Sequence, residues 1–115
     1  KGLCGSTGSL AYNASKGGMV VMARSMALEL GPAGIRVNCV CPGPTDTQMF
    51  REDMDNQRDP QAARASVAAS NPLNMIGMAE QIASGAVYVL SNEAAFMTGT
   101  ELVIDGGNIA GVRNL

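Results

Sequence analysis

Residues 34–47, Gly-Ile-Arg-Val-Asn-Cys-Val-Cys-Pro-Gly-Pro-Thr-Asp-Thr, decide the fold. Ile35, Val37 and Val40 make a short β-branched run, with Gly34 before it and Pro42-Gly43-Pro44 after it. That pattern predicts a buried strand over 35–40, stopped by the Pro-Gly-Pro segment. Alternation puts Val37, Cys39 and Cys41 on one face and Arg36, Asn38 and Val40 on the other.

Upstream, residues 1–10 are mostly glycine, serine and threonine and read as a loop. Residues 12–30 then predict a helix, with Met19, Met22, Ala23, Met26 and Leu30 recurring at helical spacing and Val20 and Ala27 on a neighbouring stripe. The methionine stripe reads as core or as a subunit interface. Gly17 and Gly18 each cost roughly 1 kcal/mol of helix propensity, a cost that the close approach of another backbone or a ligand would explain. Gly31-Pro32 ends the helix.

Downstream, residues 45–74 turn charged, polar and alanine-rich, too long for an ordinary connection, and predict a lid over 46–74 with short helices near 48–54 and 61–69. Ile82, Ala83, Ala86, Val87 and Leu90 restore helical periodicity over 79–90. A strand over 99–104 follows, closed by the turn Asp105-Gly106-Gly107, which has no helix after it and so no phosphate cradle. Two short strands joined through a helix form a βαβ unit with a right-handed crossover. The expectation is an α/β chain, the C-terminal portion of a doubly wound parallel sheet. A two-stranded parallel sheet leaves its edges open, so the rest of the domain is expected before Lys1, which reads as a mid-chain cut with no signal peptide.

Composition narrows the chemistry. The 115 residues carry 8 Lys+Arg and 10 Asp+Glu, a net charge of -2, and no histidine or tryptophan. A chain of this length is one domain at most. Without histidine it holds no Ser-His-Asp or Cys-His triad and no zinc-type His/Cys cluster, and no metal site is expected. With 16% charged and 3% aromatic residues it offers neither a basic stripe nor a stacking platform for nucleic acid. No apolar run approaches the roughly 20 residues that span a bilayer. The expectation is a soluble protein without a nucleic-acid or membrane partner. Cys4, Cys39 and Cys41 lack redox or zinc spacing and read as buried free thiols, which suits a reducing cytoplasm.

Two constellations carry chemistry. Tyr12 and Lys16 lie four residues apart at the start of the first helix, hence on one face. A neighbouring ammonium favours a phenolate, which makes Tyr12 a candidate general acid/base in a chain without histidine. The plain alternative is a surface tyrosine with an i, i+4 lysine. The second constellation is Pro42-Gly43-Pro44-Thr45-Asp46-Thr47, at the carboxyl end of the first strand, where open α/β sheets bind ligands. Glycine permits close backbone approach and the threonines offer hydroxyls and main-chain groups. Alternatively, the segment is a turn followed by a helix N-cap at Asp46 or Thr47, the reading favoured for the segment in isolation.

Taken in order, the blocks YNASK (12–16), GIRVNCVCPGPTDT (34–47) and AEQIASGAVYVLSNEAAFMTGTELVIDGG (79–107) resemble the C-terminal half of the short-chain dehydrogenase/reductase family. The resemblance implies a partial Rossmann-like domain over 1–115 and an NAD- or NADP-dependent oxidoreductase that interconverts a secondary alcohol and a ketone. It implies Tyr12 as the catalytic acid/base and Lys16 as the residue that holds the nicotinamide ribose and keeps the tyrosine pKa low. Pro42, Gly43, Thr45 and Thr47 would hold the nicotinamide end of the cofactor, Thr45 through its backbone and Thr47 through its side chain. In the family a catalytic serine lies about a dozen residues before the tyrosine, and here that place falls before Lys1; Ser6 and Ser9 are too near Tyr12. The glycine-rich dinucleotide turn would also precede Lys1, so the 115 residues alone are expected to be inactive. Met49, Phe50 and Met54 are candidates either to close over substrate or to anchor the lid. The resemblance also implies a homo-oligomer, a dimer or tetramer, paired through the long helix. A rival reading is a non-catalytic dinucleotide-binding or interaction module on the same fold.

Overall fold

Six regular elements occur among residues 2–111, the part of the chain that the computed structural model describes: α1 (Leu10–Leu30), β1 (Cys39–Pro42), α2 (Gln48–Asp55), α3 (Pro60–Ala69), α4 (Ala79–Leu90) and β2 (Glu101–Ile104). The order is the expected one, helix, strand, lid, helix, strand. Val37 O accepts from Gly99 N, Cys39 N donates to Thr100 O and Gly43 N donates to Ile104 O, so both chains advance together and the pair is parallel. No described helix is long and apolar enough to cross a membrane.

The chain divides into two compact units, one made of the residues up to Cys41 with Ala86–Leu102, the other of Pro42–Gly85 with the stretch from Val103. In the first unit α1 begins at Leu10, two residues earlier than periodicity suggested, with Asn13 N bonded to Ser9 O. A 3-10 turn, Gly31–Ala33, and the left-handed Gly34 end it. The buried residues of α1 are Val20, Ala23 and Ala27. Val20 and Ala27 of the neighbouring stripe pack inward with Ala23 of the methionine stripe, and the core reading of Met19, Met22 and Met26 does not hold, as all three are exposed. Small residues win the inner face because the helix approaches closely: a Cβ on Gly99 would stand 3.4 Å from Ala27 Cβ. A Cβ on Gly17 would stand 3.8 Å from Gly2 O, an ordinary contact. Space is open around Gly18, and the tight approach belongs to Gly2, whose Cβ would stand 2.9 Å from Lys16 O.

The first strand starts later than its β-branched residues suggested. Val37 N donates to Thr98 Oγ1, while the Asn38 amide donates to Met97 O and accepts from Thr100 N. At 37–38 side chains thus supply these bonds beside the backbone bond from Gly99 N to Val37 O, and the regular strand begins at Cys39. The Pro42-Gly43-Pro44 segment does end the strand, two residues past the expected Val40, with Pro42 as its last residue. The donors to β2 are Cys39 and Gly43, so by alternation the missing N–H of Pro42 faces away from that neighbour. Gly99 has φ 68 and belongs to a turn, so β2 begins at Glu101, two residues after the predicted start. Arg24 reaches from α1 to grip Glu101 through two bonds, 2.8 and 3.1 Å. Burial of the cysteines is a further correction: Cys4 is exposed and Cys39 and Cys41 are half-buried, since a two-stranded sheet covers neither of its outer flanks.

In the second unit, the segment predicted as a lid forms two capped helices. Thr47 caps α2 by accepting from Phe50 N at 3.2 Å, and Asp59 caps α3 by accepting from Ala62 N at 3.0 Å, with Pro60 in the first turn. Arg64 of α3 joins the two helices by lying over the Phe50 ring, 5.7 Å from its centroid, and by bonding Asp55 at 3.3 Å. Gln81 reaches back from the third position of α4 to accept from Met78 N at 2.8 Å, which explains why that helix starts at Ala79.

Candidate active site

Tyr12 and Lys16 stand on the first turns of α1 and their side chains meet. The Lys16 ammonium lies 5.3 Å from the centroid of the Tyr12 ring, a cation–π distance. Tyr12 is 50% exposed. Neither the phenol oxygen nor the ammonium has a hydrogen-bond or ion-pair partner among the described residues, whose bonds at this turn are Ser15 Oγ to Tyr12 O at 2.8 Å and those of Asn13. Asn13 was not singled out in the sequence. Its Nδ2 donates to Ser6 O at 3.2 Å and so ties the preceding loop to the helix that carries Tyr12. An asparagine in a first helical turn, where its amide can serve nearby backbone, is the signal that would have found it. The depression of about 840 Å3 beside this loop is lined by residues between Gly2 and Ala14, and Tyr12 is not among them.

The loop at the end of β1 is built differently. Gly43 donates to Ile104 O at 2.9 Å, and a Cβ on Gly43 would stand only 2.6 Å from Asp105 Cα, so glycine is required there. Thr45 pairs with Gly77 in a parallel bridge, through Gly77 N to Pro44 O at 2.9 Å and Asp46 N to Gly77 O at 2.8 Å. The Thr45 hydroxyl donates to Gly43 O at 2.9 Å, and the Thr47 hydroxyl is the α2 cap. The capping alternative is therefore realised, by Thr47. Asp46 accepts two bonds of 2.9 Å from Arg51, and these hold its carboxyl below the usual carboxylate range. Of the loop's own donors, the Thr45 N–H has no acceptor among the described residues.

The remaining candidates separate by burial. Met54 is buried, Phe50 is half-buried under Arg64, and Met49 is exposed. Burial pushes the Cys39 and Cys41 thiols up, so neither is an activated nucleophile.

The open groups can be tested against a nicotinamide dinucleotide. Taken unit by unit, the phenol and ammonium of the first are donors of the kind that ribose hydroxyls accept, and the unengaged Thr45 N–H of the second is a donor of the kind that a carboxamide oxygen accepts.

The family model described as enoyl-(acyl carrier protein) reductase matches residues 2–108. "Dehydrogenase/reductase SDR family member 6" of Danio rerio is 38% identical over 96 residues, 84% of this chain and 39% of that protein. "Inactive 2-(S)-hydroxypropyl-CoM dehydrogenase 2" of Xanthobacter autotrophicus is 42% identical over 110 residues, 95% of this chain and 47% of that protein. Among solved structures, a 4-hydroxyisoleucine dehydrogenase complexed with NADH superposes with a TM-score of 0.87 at 34% identity, covering 96% of this chain and 44% of that one. The chain belongs to the short-chain dehydrogenase/reductase family, an oxidoreductase family of Rossmann-like fold. It spans less than half the length of these relatives.

Proposed function

We propose that the protein carrying this chain is an NAD- or NADP-dependent oxidoreductase that interconverts a secondary alcohol and a ketone. The observation that carries the reading is the Tyr12 phenol, half exposed, without a hydrogen-bond partner among the described residues and beside the Lys16 ammonium. The bound nicotinamide dinucleotide supplies or accepts the hydride. Tyr12 Oη gives its proton to the carbonyl oxygen during reduction and takes the hydroxyl proton during oxidation. Lys16 holds the ribose hydroxyls and places positive charge beside that oxygen. The Thr45 N–H and the Thr47 side chain hold the carboxamide end, and Pro42 and Gly43 bring backbone close to the ring. In the α2–α3 segment, Met49 is the residue left to cover substrate and exclude water, while Met54 anchors. The 4-hydroxyisoleucine dehydrogenase complexed with NADH supports this choice of cofactor.

The exposed Met19, Met22 and Met26 support a homo-oligomeric contact along α1, and the three unpaired thiols support a cytoplasmic protein. A second reading, binding without turnover, is favoured by the 42%-identical relative that is named inactive. An assay of the intact protein on secondary alcohols and ketones, with NAD(H) and NADP(H) in turn, separates the two. Cofactor-dependent turnover that Tyr12→Phe abolishes supports the enzyme; cofactor binding with no turnover on any substrate supports the binder.

A further inference from the structure

Asn71 is the one polar residue buried among the described residues, 2% exposed, near the end of the segment predicted as a lid. It follows α3 and opens a tight turn in which Asn74 N donates to Asn71 O at 3.0 Å and Asn74 takes a φ of 52. Its Nδ2 donates to Ala68 O at 3.1 Å and to Met75 O at 2.7 Å. Two carbonyl acceptors fix which end of the amide is nitrogen. The opposite end, Oδ1, is buried without a partner among the described residues and lies against Gly106, where a Cβ would stand 2.6 Å from it. Gly106 has φ 66, so glycine is required there on two counts.

These contacts meet the candidate cofactor loop from both sides. One support of that loop is Gly77, bridged to Thr45 and two residues beyond the Met75 carbonyl that Asn71 holds. The other is Ile104–Asp105, bonded to Gly43 and in close contact with it, one residue before the Gly106 on which Asn71 rests. The supports do not fill the space between them: a cavity of about 120 Å3 is lined by Pro44, Met75 and Gly77 from one side and by Ile104, Asp105 and Gly106 from the other. Across that cavity the two supports do not close on one another. We propose that Asn71 is a positioning residue whose amide spans Met75 and Gly106, sets the distance between the two supports, and so places the Thr45 N–H for the nicotinamide end of the cofactor. A buried acceptor without a partner costs free energy that an apolar residue would avoid, and the two carbonyl contacts explain its presence.

The inference rests on the proposed dehydrogenase reading, and its test separates the two. In the intact protein, dissociation constants are measured for NADH or NADPH, whichever the wild type binds more tightly, and for the corresponding ADP-ribose, which lacks the nicotinamide ring. Thermal melts accompany each variant. Asn71→Ala is expected to weaken the dinucleotide roughly tenfold and ADP-ribose less than twofold, since a misplacement of about 1 Å can cost up to about 100-fold at a positioned group. Gly106→Ala should act in the same direction. In an Asn71→Ala background its effect should shrink, because the amide that the new Cβ meets is gone. Asn108→Ala removes an exposed bond to Ser70 between the same two segments and should leave the ratio of the two constants unchanged. A wild type that binds neither cofactor overturns the dehydrogenase reading and this inference with it. A wild type that binds, together with an Asn71→Ala ratio equal to its own, overturns this inference alone. If Asn71→Ala does not fold, the ratio in Gly106→Ala decides in the same way.

Discussion

The start of α1 and the loop after β1 both hold candidate site residues, yet they are built on opposite plans. At Tyr12 and Lys16 the working groups are side-chain tips, exposed and without hydrogen-bond partners among the described residues, and the structure would stand without them. In Pro42–Thr47 most polar groups are engaged: Gly43 with Ile104, Pro44 and Asp46 with Gly77, the Thr45 hydroxyl with Gly43, Thr47 with Phe50, and the Asp46 carboxyl with Arg51. On the proposed function a proton moves at the first region, which calls for accessible groups, and a ligand is placed at the second, which calls for a backbone held from several sides. Changes at the helix should therefore alter chemistry with little effect on stability, and changes at the loop should lower stability first.

The largest expected effect lies at the helix. Lys16→Met in the intact protein should lower turnover by about 100-fold or more, the range for losing a group that supports acid/base work, while the melting temperature stays within a few degrees of wild type. A large fall in melting temperature would show that Lys16 is a structural residue and break the contrast. Next is Gly43→Ala, which drives a Cβ onto the Asp105 backbone; overpacking of this kind costs about 1–3 kcal/mol, read as a lower melting temperature. Thr47→Ala should cost about 1 kcal/mol through the lost cap of α2, measured by urea unfolding. An unchanged midpoint there would mean that the Thr47 hydroxyl does not stabilise α2 as a cap.

The smallest effect is acidic. Hydrogen bonds from Arg51 and Arg24 lower the carboxyl pKa values of Asp46 and Glu101. Their contribution to stability is complete above the ordinary carboxylate range near pH 4 and is lost as pH falls through the depressed folded values. Asp46→Asn should accordingly flatten part of the acid limb of a plot of melting temperature against pH. An unaltered limb would show that this exposed pair adds nothing measurable.

How much of this was legible in the sequence depends on the range of the interaction. The periodicity of 79–90 marked α4 to the residue, and polar breaks placed both lid helices within one residue at each end, because caps and periodicity are local. The β1 start was missed because Asn38 and Thr98, far apart in the chain, replace backbone partners with side chains. The inner stripe of α1 was misread because methionine hydrophobicity outweighs that of alanine, whereas close packing favours the smaller residue. The Tyr12–Lys16 pairing was visible from spacing alone. Asn13 required the loop partner Ser6, and Asn71 required Gly106, contacts that no local pattern announces.

The central claim is that Tyr12 transfers the proton and does little else. It is tested most directly by the single-turnover rate of hydride transfer in Tyr12→Phe, followed by nicotinamide absorbance with the intact protein saturated in cofactor, beside the dissociation constant of that cofactor. The account predicts a rate lowered by about 100-fold or more with the dissociation constant within about threefold of wild type. A wild-type rate in Tyr12→Phe would contradict it.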